Sequence, residues 1–277
     1  MLRSCMRLAA GFFFLAVLIA GAPLALRADD ILFIGNSFTY GASVPDLPKD
    51  GGVPALFQAI ARAKGQNVTV TAVTAGGQDW TYHLAQPRTA SALQSKVWTW
   101  VVLQDFSTRP TRIGNIPQFM QDGATFSDRI AQNSPNAGIL LYETWARQPG
   151  AFYQHPPGNG LSGPTQMMSD LHDSYEKLQA ALAAKNPSRP LQVALVGTAF
   201  ARCGAEYPAI PLEAADHHHS TLEGYYLAAL VMCETLYHQS AVGAPTSFSN
   251  GTLTIPAADA PELQAVADQV IAQAAKS

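Results

Sequence analysis

Ser37 closes the apolar run Ile31-Leu32-Phe33-Ile34, with Gly35-Asn36 before it and Phe38-Thr39 after it. Most serines in such a place simply cap the segment that follows. A serine hydroxyl becomes a useful nucleophile when an imidazole takes its proton. That imidazole needs a carboxylate on its other nitrogen to fix the tautomer and stabilise the imidazolium. The stretch Ala215-Asp216-His217-His218-His219-Ser220-Thr221-Leu222-Glu223-Gly224 supplies both groups. Asp216 and His219 stand three positions apart, close enough to meet across one turn, with the serine arriving from a different loop. The chemistry of such a set is acyl transfer, and its rate should fall as pH drops through the titration of His219. His217 and His218 are the alternatives for the base. Three consecutive histidines also raise the question of zinc, but adjacent side chains rarely converge on one ion and no His-x-x-x-His accompanies them. No metal or cofactor is expected.

These residues need a scaffold that brings distant loops to one edge. From Asp30 onward, short β-rich runs alternate with segments of helical period. The runs are Ile31 to Ile34, Val68 to Val73, Val97 to Leu103, Gly138 to Tyr142 and Leu191 to Val196. Val53, Leu56, Phe57 and Ile60 have the i, i+3, i+4, i+7 spacing of an amphipathic helix, and Gly65 is placed to end it. Further helices are predicted over 115–132, through Met167 to Leu182, through Leu222 to Leu236, and around Leu263, Val266 and Val270. An Asn250-Gly251 turn between alternating residues predicts a small hairpin near 247–254. Strands separated by helices imply right-handed crossovers and a mainly parallel five-stranded sheet in a three-layer α/β/α arrangement. The stretch from Arg147 to Pro164, with four prolines and four glycines, reads as a long loop, either a lid or a surface insertion.

In an open parallel sheet, ligands bind beyond the carboxyl ends of the strands. Those ends are Gly35-Asn36-Ser37, Ala75-Gly76-Gly77-Gln78-Asp79, Gln104-Asp105, Glu143-Thr144-Trp145 and Gly197-Thr198-Ala199. Glu143 and Trp145 are candidates to line a substrate, with ordinary structural uses as the alternative. Arg109, near the same rim, carries no catalytic assignment.

Gly35-Asn36-Ser37-Phe38-Thr39 at the first strand end, the glycine-rich turn after the second, and Asp216-x-x-His219 followed by Gly224 resemble the blocks of SGNH/GDSL-type hydrolases over residues 30–240. The resemblance implies a flavodoxin-like sheet and a metal-free serine esterase acting through an acyl-enzyme. Ser37 would be its nucleophile, His219 its base and Asp216 the group that orients His219. It implies an oxyanion hole formed by the N–H groups of Ser37 and Gly77, with Gly76 as the alternative, and by the amide of Gln104. Gln104 and Asn36 depart from the family pattern, which more often has asparagine and aspartate at those positions. Substrates implied are acetyl or other short acyl esters, often on carbohydrates. The rival readings are a carbohydrate-binding protein of the same fold without turnover, and a lipase- or phospholipase-like hydrolase. No Gly-x-Ser-x-Gly elbow is present, which disfavours an ordinary α/β-hydrolase.

Composition is consistent with one globular domain over 29–277. The 277 residues are 48% hydrophobic and 13% charged, with a formal net charge of −3. No basic run offers the electrostatic footprint of a nucleic-acid partner. Arg3 and Arg7 ahead of the apolar stretch Leu8 to Ala20 predict a secretory signal over 1–28, cut after Ala28, and hence a secreted or periplasmic protein with no membrane span once it is removed. Cys203 and Cys233 are then either a disulfide or free buried thiols.

Overall fold

The computed structural model describes residues 28–276, so nearly all of the segment read as a leader lies outside the described residues. The elements run β1 (Asp29–Gly35), α1 (Ser37–Tyr40), α2 (Gly52–Ala63), β2 (Val68–Thr74), α3 (Trp80–Ala85), α4 (Pro87–Gln94), β3 (Trp100–Leu103), α5 (Ile116–Asn133), β4 (Gly138–Tyr142), α6 (Pro164–Lys185), β5 (Leu191–Ala194), α7 (Val196–Glu206), α8 (Leu222–Tyr237), β6 (Ser247–Phe248), β7 (Leu253–Thr254) and α9 (Ala260–Ala274).

The five main strands are all parallel, in the order β2-β1-β3-β4-β5. Alternate residues of β1 feed two separate cores, as a sheet covered on both faces requires. Ile31 and Phe33 pack with Phe57 of α2 and with α8 and α9. Leu32 and Ile34 pack with Phe119 and Phe126 of α5 and Leu171 and Tyr175 of α6. α8 is buried on nearly its whole circumference because α2, α7 and α9 surround it. Among the described residues no helix is long and apolar enough to cross a membrane.

The chain moves from β1 outward to β2, then returns past β1 to β3. The carboxyl ends of β1 and β3 therefore flank the topological switch point, where the crevice of such a sheet opens. Ser37 and Gln104 leave the sheet at those two ends.

Several elements differ from their sequence reading. β3 begins at Trp100 rather than Val97: Val97 points to solvent, and Trp98 turns back, its N–H on Ser134 Oγ (2.9 Å) and its indole N–H on Ala92 O (3.1 Å). β5 ends at Ala194 rather than Val196, and Val196 and the strand end expected at Gly197-Thr198-Ala199 open α7. The Glu143 carboxylate from the end of β4 accepts Thr198 N–H and Oγ1–H, both at 2.9 Å, within its first turn. α3 and α4 form where the sequence reading assigned no element. Asp79 caps the first by accepting Tyr82 N–H (2.9 Å), and Pro87 opens the second. The hairpin β6-β7 forms around Asn250 and Gly251, both at positive φ. Between 147 and 164 the chain folds on itself: the Arg147 guanidinium lies 4.3 Å from the centre of the Phe152 ring, and Tyr153 Oη–H donates to Arg147 O. Cys203 and Cys233 are free and buried.

Candidate active site

β1 ends because Asn36 pulls the chain out of the sheet. Its Oδ1 accepts Phe38 N–H (3.1 Å), capping α1, and its Nδ2 donates to Gln78 O (2.9 Å), tying the turn to the glycine-rich loop. Gln104 Oε1 accepts both Asn36 N–H (2.8 Å) and Thr39 Oγ1–H (2.9 Å). Gly35 leaves room for this arrangement: a Cβ there would collide with Thr39 Oγ1 and lie 2.7 Å from Gln104 Oε1. Beneath it, His83 Nε2–H donates to Gly35 O (2.9 Å), and burial holds this imidazole below its ordinary pKa, in the neutral form. Ser37 is left 7% exposed, and among the described residues neither its hydroxyl nor its N–H has a hydrogen-bond partner.

After β2 the chain turns at Gly77, whose φ of +68° is the left-handed conformation glycine adopts without strain. The Gly77 N–H is likewise without an acceptor among the described residues. This loop is fixed from below by Asp105, whose Oδ1 accepts Trp80 N–H and Phe106 N–H, both at 2.8 Å. Its Oδ2 is buried without a partner. Burial outweighs the two N–H donors and pushes the Asp105 carboxyl up to about 7. Arg109 holds the loop from the side, bonding Asp79, Thr81 Oγ1 (2.5 Å) and Asp122 Oδ2 (3.0 Å).

The histidine loop closes the third side. Asp216 Oδ1 accepts the N–H groups of His218 (3.0 Å) and His219 (2.9 Å), and its Oδ2 accepts His219 Nδ1–H at 2.6 Å. Burial opposes the Asp216 charge, yet these donors outweigh it and hold the carboxyl down at about 2. The His219 ring stands edge-on to Phe38, the residue after Ser37, with centroids 5.7 Å apart. Its Nε2 is free of hydrogen bonds among the described residues. His218 lies between, 4.9 Å from Phe38 and 4.4 Å from His219, and burial together with the charge of Arg147 pushes its pKa down to about 4. Ser43 Oγ–H donates to Ser220 O, stitching this loop to the Ser37 segment. His217 turns away, its Nδ1 2.6 Å from Gln148 Oε1.

The Ser37 turn is thus tied to the glycine-rich loop through Asn36 and to the histidine loop through Phe38 and Ser43, while among the described residues no hydrogen bond joins Ser37 to His219. Three other expectations take a different form. Gln104 serves the scaffold: its Oε1 holds the Ser37 turn and one Nε2 hydrogen goes to Asp105 O. Glu143 is fully buried, bonded to Thr198 and to His172 Nδ1 (2.9 Å), and presents no surface to a substrate. Trp145 is 1% exposed, sandwiched between Phe38 and Phe200 at 4.3 Å on each side, with its indole N–H on His218 O (3.2 Å). Trp145 and Gln148 border a cleft of ≈ 920 Å³ between α6, α7 and the end of α9, which includes neither Ser37 nor His219. Sequence reasoning missed His83, Asn36 as a bridge, and Tyr40. No group of three His, Cys, Asp or Glu side chains among the described residues is arranged to hold a metal ion.

The all-parallel sheet in the order β2-β1-β3-β4-β5, covered by helices on both faces, is the three-layer α/β/α fold of the GDSL/SGNH hydrolases. A DUF4886 family protein from Bacteroides uniformis is similar over 88% of this chain and 95% of its own, with a TM-score of 0.66 and 17% identity. A GDSL-like lipase, so described provisionally, from Parabacteroides merdae covers 76% of this chain and 95% of its own (TM-score 0.55, 16% identity). A member of the lipolytic G-D-S-L family from Veillonella parvula covers 76% and 100% (TM-score 0.52, 14% identity). No protein-family model and no curated protein sequence matches the chain.

Proposed function

We propose that the protein is a serine esterase that hydrolyses an acetyl or other short acyl ester, with a carbohydrate as the expected alcohol, after export. The observation that carries the reading is the Asp216–His219 pair, bonded at 2.6 Å and packed against the residue next to an unpartnered Ser37 hydroxyl. With Nδ1–H held by Asp216, the free Nε2 of His219 is the basic nitrogen. Ser37 Oγ attacks the ester carbonyl carbon while its proton passes to His219 Nε2, and the carbonyl π pair moves onto oxygen. The unpaired N–H groups of Ser37 and Gly77 receive that oxyanion, each such donor being worth roughly 3 kcal/mol in the transition state. Collapse expels the alcohol, which takes the proton from His219. Water then gives its proton to the same nitrogen as it attacks the acyl carbon, and collapse breaks the bond to Ser37 Oγ, which takes the proton back from His219 as the acid leaves. The close enclosure of Ser37 supports a small acyl group, and Arg3, Arg7 and the apolar Leu8 to Ala20 stretch support export.

The test is hydrolysis of p-nitrophenyl acetate and a longer-chain ester, with Ser37→Ala as control and labelling by a fluorophosphonate. Turnover and labelling that both vanish in Ser37→Ala, with acetate preferred, are the expected result. A folded wild-type protein that neither turns over an ester nor reacts with the fluorophosphonate would favour a binding protein of this fold instead.

A further inference from the structure

Gln104 Oε1 is taken up by the Ser37 turn and one Nε2 hydrogen by Asp105 O, so at the end of β3 this amide is tethered at both of its ends. Ser37 and Tyr40 stand at i and i+3 on the single turn of α1, so their side chains share a face, and a helical side chain leans back toward the turn that precedes it. The Tyr40 hydroxyl accordingly reaches the glycine-rich loop: a Cβ on Gly76 would lie 2.7 Å from Tyr40 Oη. Tyr40 is only half-buried, and its hydroxyl has no hydrogen-bond partner among the described residues. A phenol that is free to donate thus sits against the peptide leading into Gly77 and on the same helical face as the nucleophile.

We propose that Tyr40 is a catalytic residue, its O–H donating a hydrogen bond to the oxyanion beside the N–H groups of Ser37 and Gly77. This rests on the esterase reading of Ser37. The tyrosine makes and breaks no covalent bond: the serine proton still goes to His219, and Tyr40 keeps its own proton throughout. Its contribution appears as negative charge develops on the carbonyl oxygen, so it lowers the barrier without tightening substrate binding. The absence of a side chain at Gly76, whose φ is ordinary, leaves the Tyr40 hydroxyl its place, since a Cβ there would push it aside.

The test compares wild type, Tyr40→Phe and Ser37→Ala on p-nitrophenyl acetate, counting functional sites by end-point fluorophosphonate titration and following thermal unfolding. Tyr40→Phe should lower kcat per titrated site by about 100-fold, with KM changed by no more than about two-fold and Tm unaltered. Unchanged kcat per titrated site beside an inactive Ser37→Ala overturns the role of Tyr40 and leaves the esterase intact. A rise in KM alone overturns it too, making Tyr40 a ground-state contact, and so does a loss of titratable sites with normal kcat in those remaining, which is a purely structural effect. Turnover surviving in Ser37→Ala overturns the esterase reading and this inference together.

Discussion

His219 Nδ1 lies 2.6 Å from Asp216 Oδ2, and the other oxygen of the same carboxylate takes the backbone N–H groups of His218 and His219. One aspartate therefore both shapes the turn and fixes the imidazole within it. Because Asp216 is held at about 2, it stays ionised well below neutrality, and the acid-side loss of activity falls to an imidazole. Asp216→Asn keeps the acceptor for the backbone but loses the charge and presents an amide to Nδ1, allowing the wrong tautomer. We expect kcat to drop by about 100- to 10 000-fold with the fold retained. His218 is already neutral above pH about 4, so His218→Gln should stay within about ten-fold of wild type and keep the acid limb of its pH profile. Disappearance of that limb in His218→Gln would assign the base to the wrong histidine here.

Asp105 makes a second prediction, this time for stability. An acid whose pKa in the folded state, about 7, exceeds its ordinary 3.8 binds its proton more tightly when folded. Wild-type stability should therefore decline as pH rises from about 4 to about 7. Asp105→Asn removes the titration while keeping an oxygen to accept Trp80 N–H and Phe106 N–H. Urea unfolding at intervals from pH 4 to 8 should show the variant gaining on wild type by on the order of 2–4 kcal/mol across that window, then running parallel above it. Curves that stay parallel from pH 4 to 8 would mean that Asp105 is ionised and solvated in the folded protein.

The parts of the site that could be read from sequence are those whose partners are neighbours in the chain. Asp216 and His219 meet across one turn, and Ser37 directly follows an apolar strand, so spacing alone identifies them. The scaffolding role of Gln104 is not legible in sequence because it is decided by Asn36 N–H and Thr39 Oγ1, 68 and 65 residues away, which no local pattern displays. α7 escaped for the same reason: its first turn is anchored by Glu143 from β4, not by a cap of its own. The five strands were legible as apolar β-branched runs, but their ends were not. Val97 and Val196 have the right composition for a strand and lie where the sheet no longer offers a partner. Tyr40 gave no signal at all, since its interest comes from a helical face shared with Ser37 and from the approach of Gly76.

Trp145 joins the two halves of the site, and its two kinds of contact can be separated. Its ring is stacked between Phe38, beside Ser37, and Phe200 of α7, while its indole N–H holds His218 O, one residue from His219. Trp145→Ala empties a fully buried site and should cost about 3–5 kcal/mol of stability, read as a lower urea midpoint. Trp145→Phe keeps a ring in the stack and loses the N–H, for which the stability cost should be nearer 1 kcal/mol. If the indole tether sets the distance between His219 and Ser37, Trp145→Phe will lose kcat out of proportion to that small cost, with the acid limb of the profile unmoved. An unchanged kcat in Trp145→Phe would show that Ser43 on Ser220 O and the Gln148–His217 contact suffice to hold the loop, leaving the tryptophan as a spacer between the nucleophile's turn and α7.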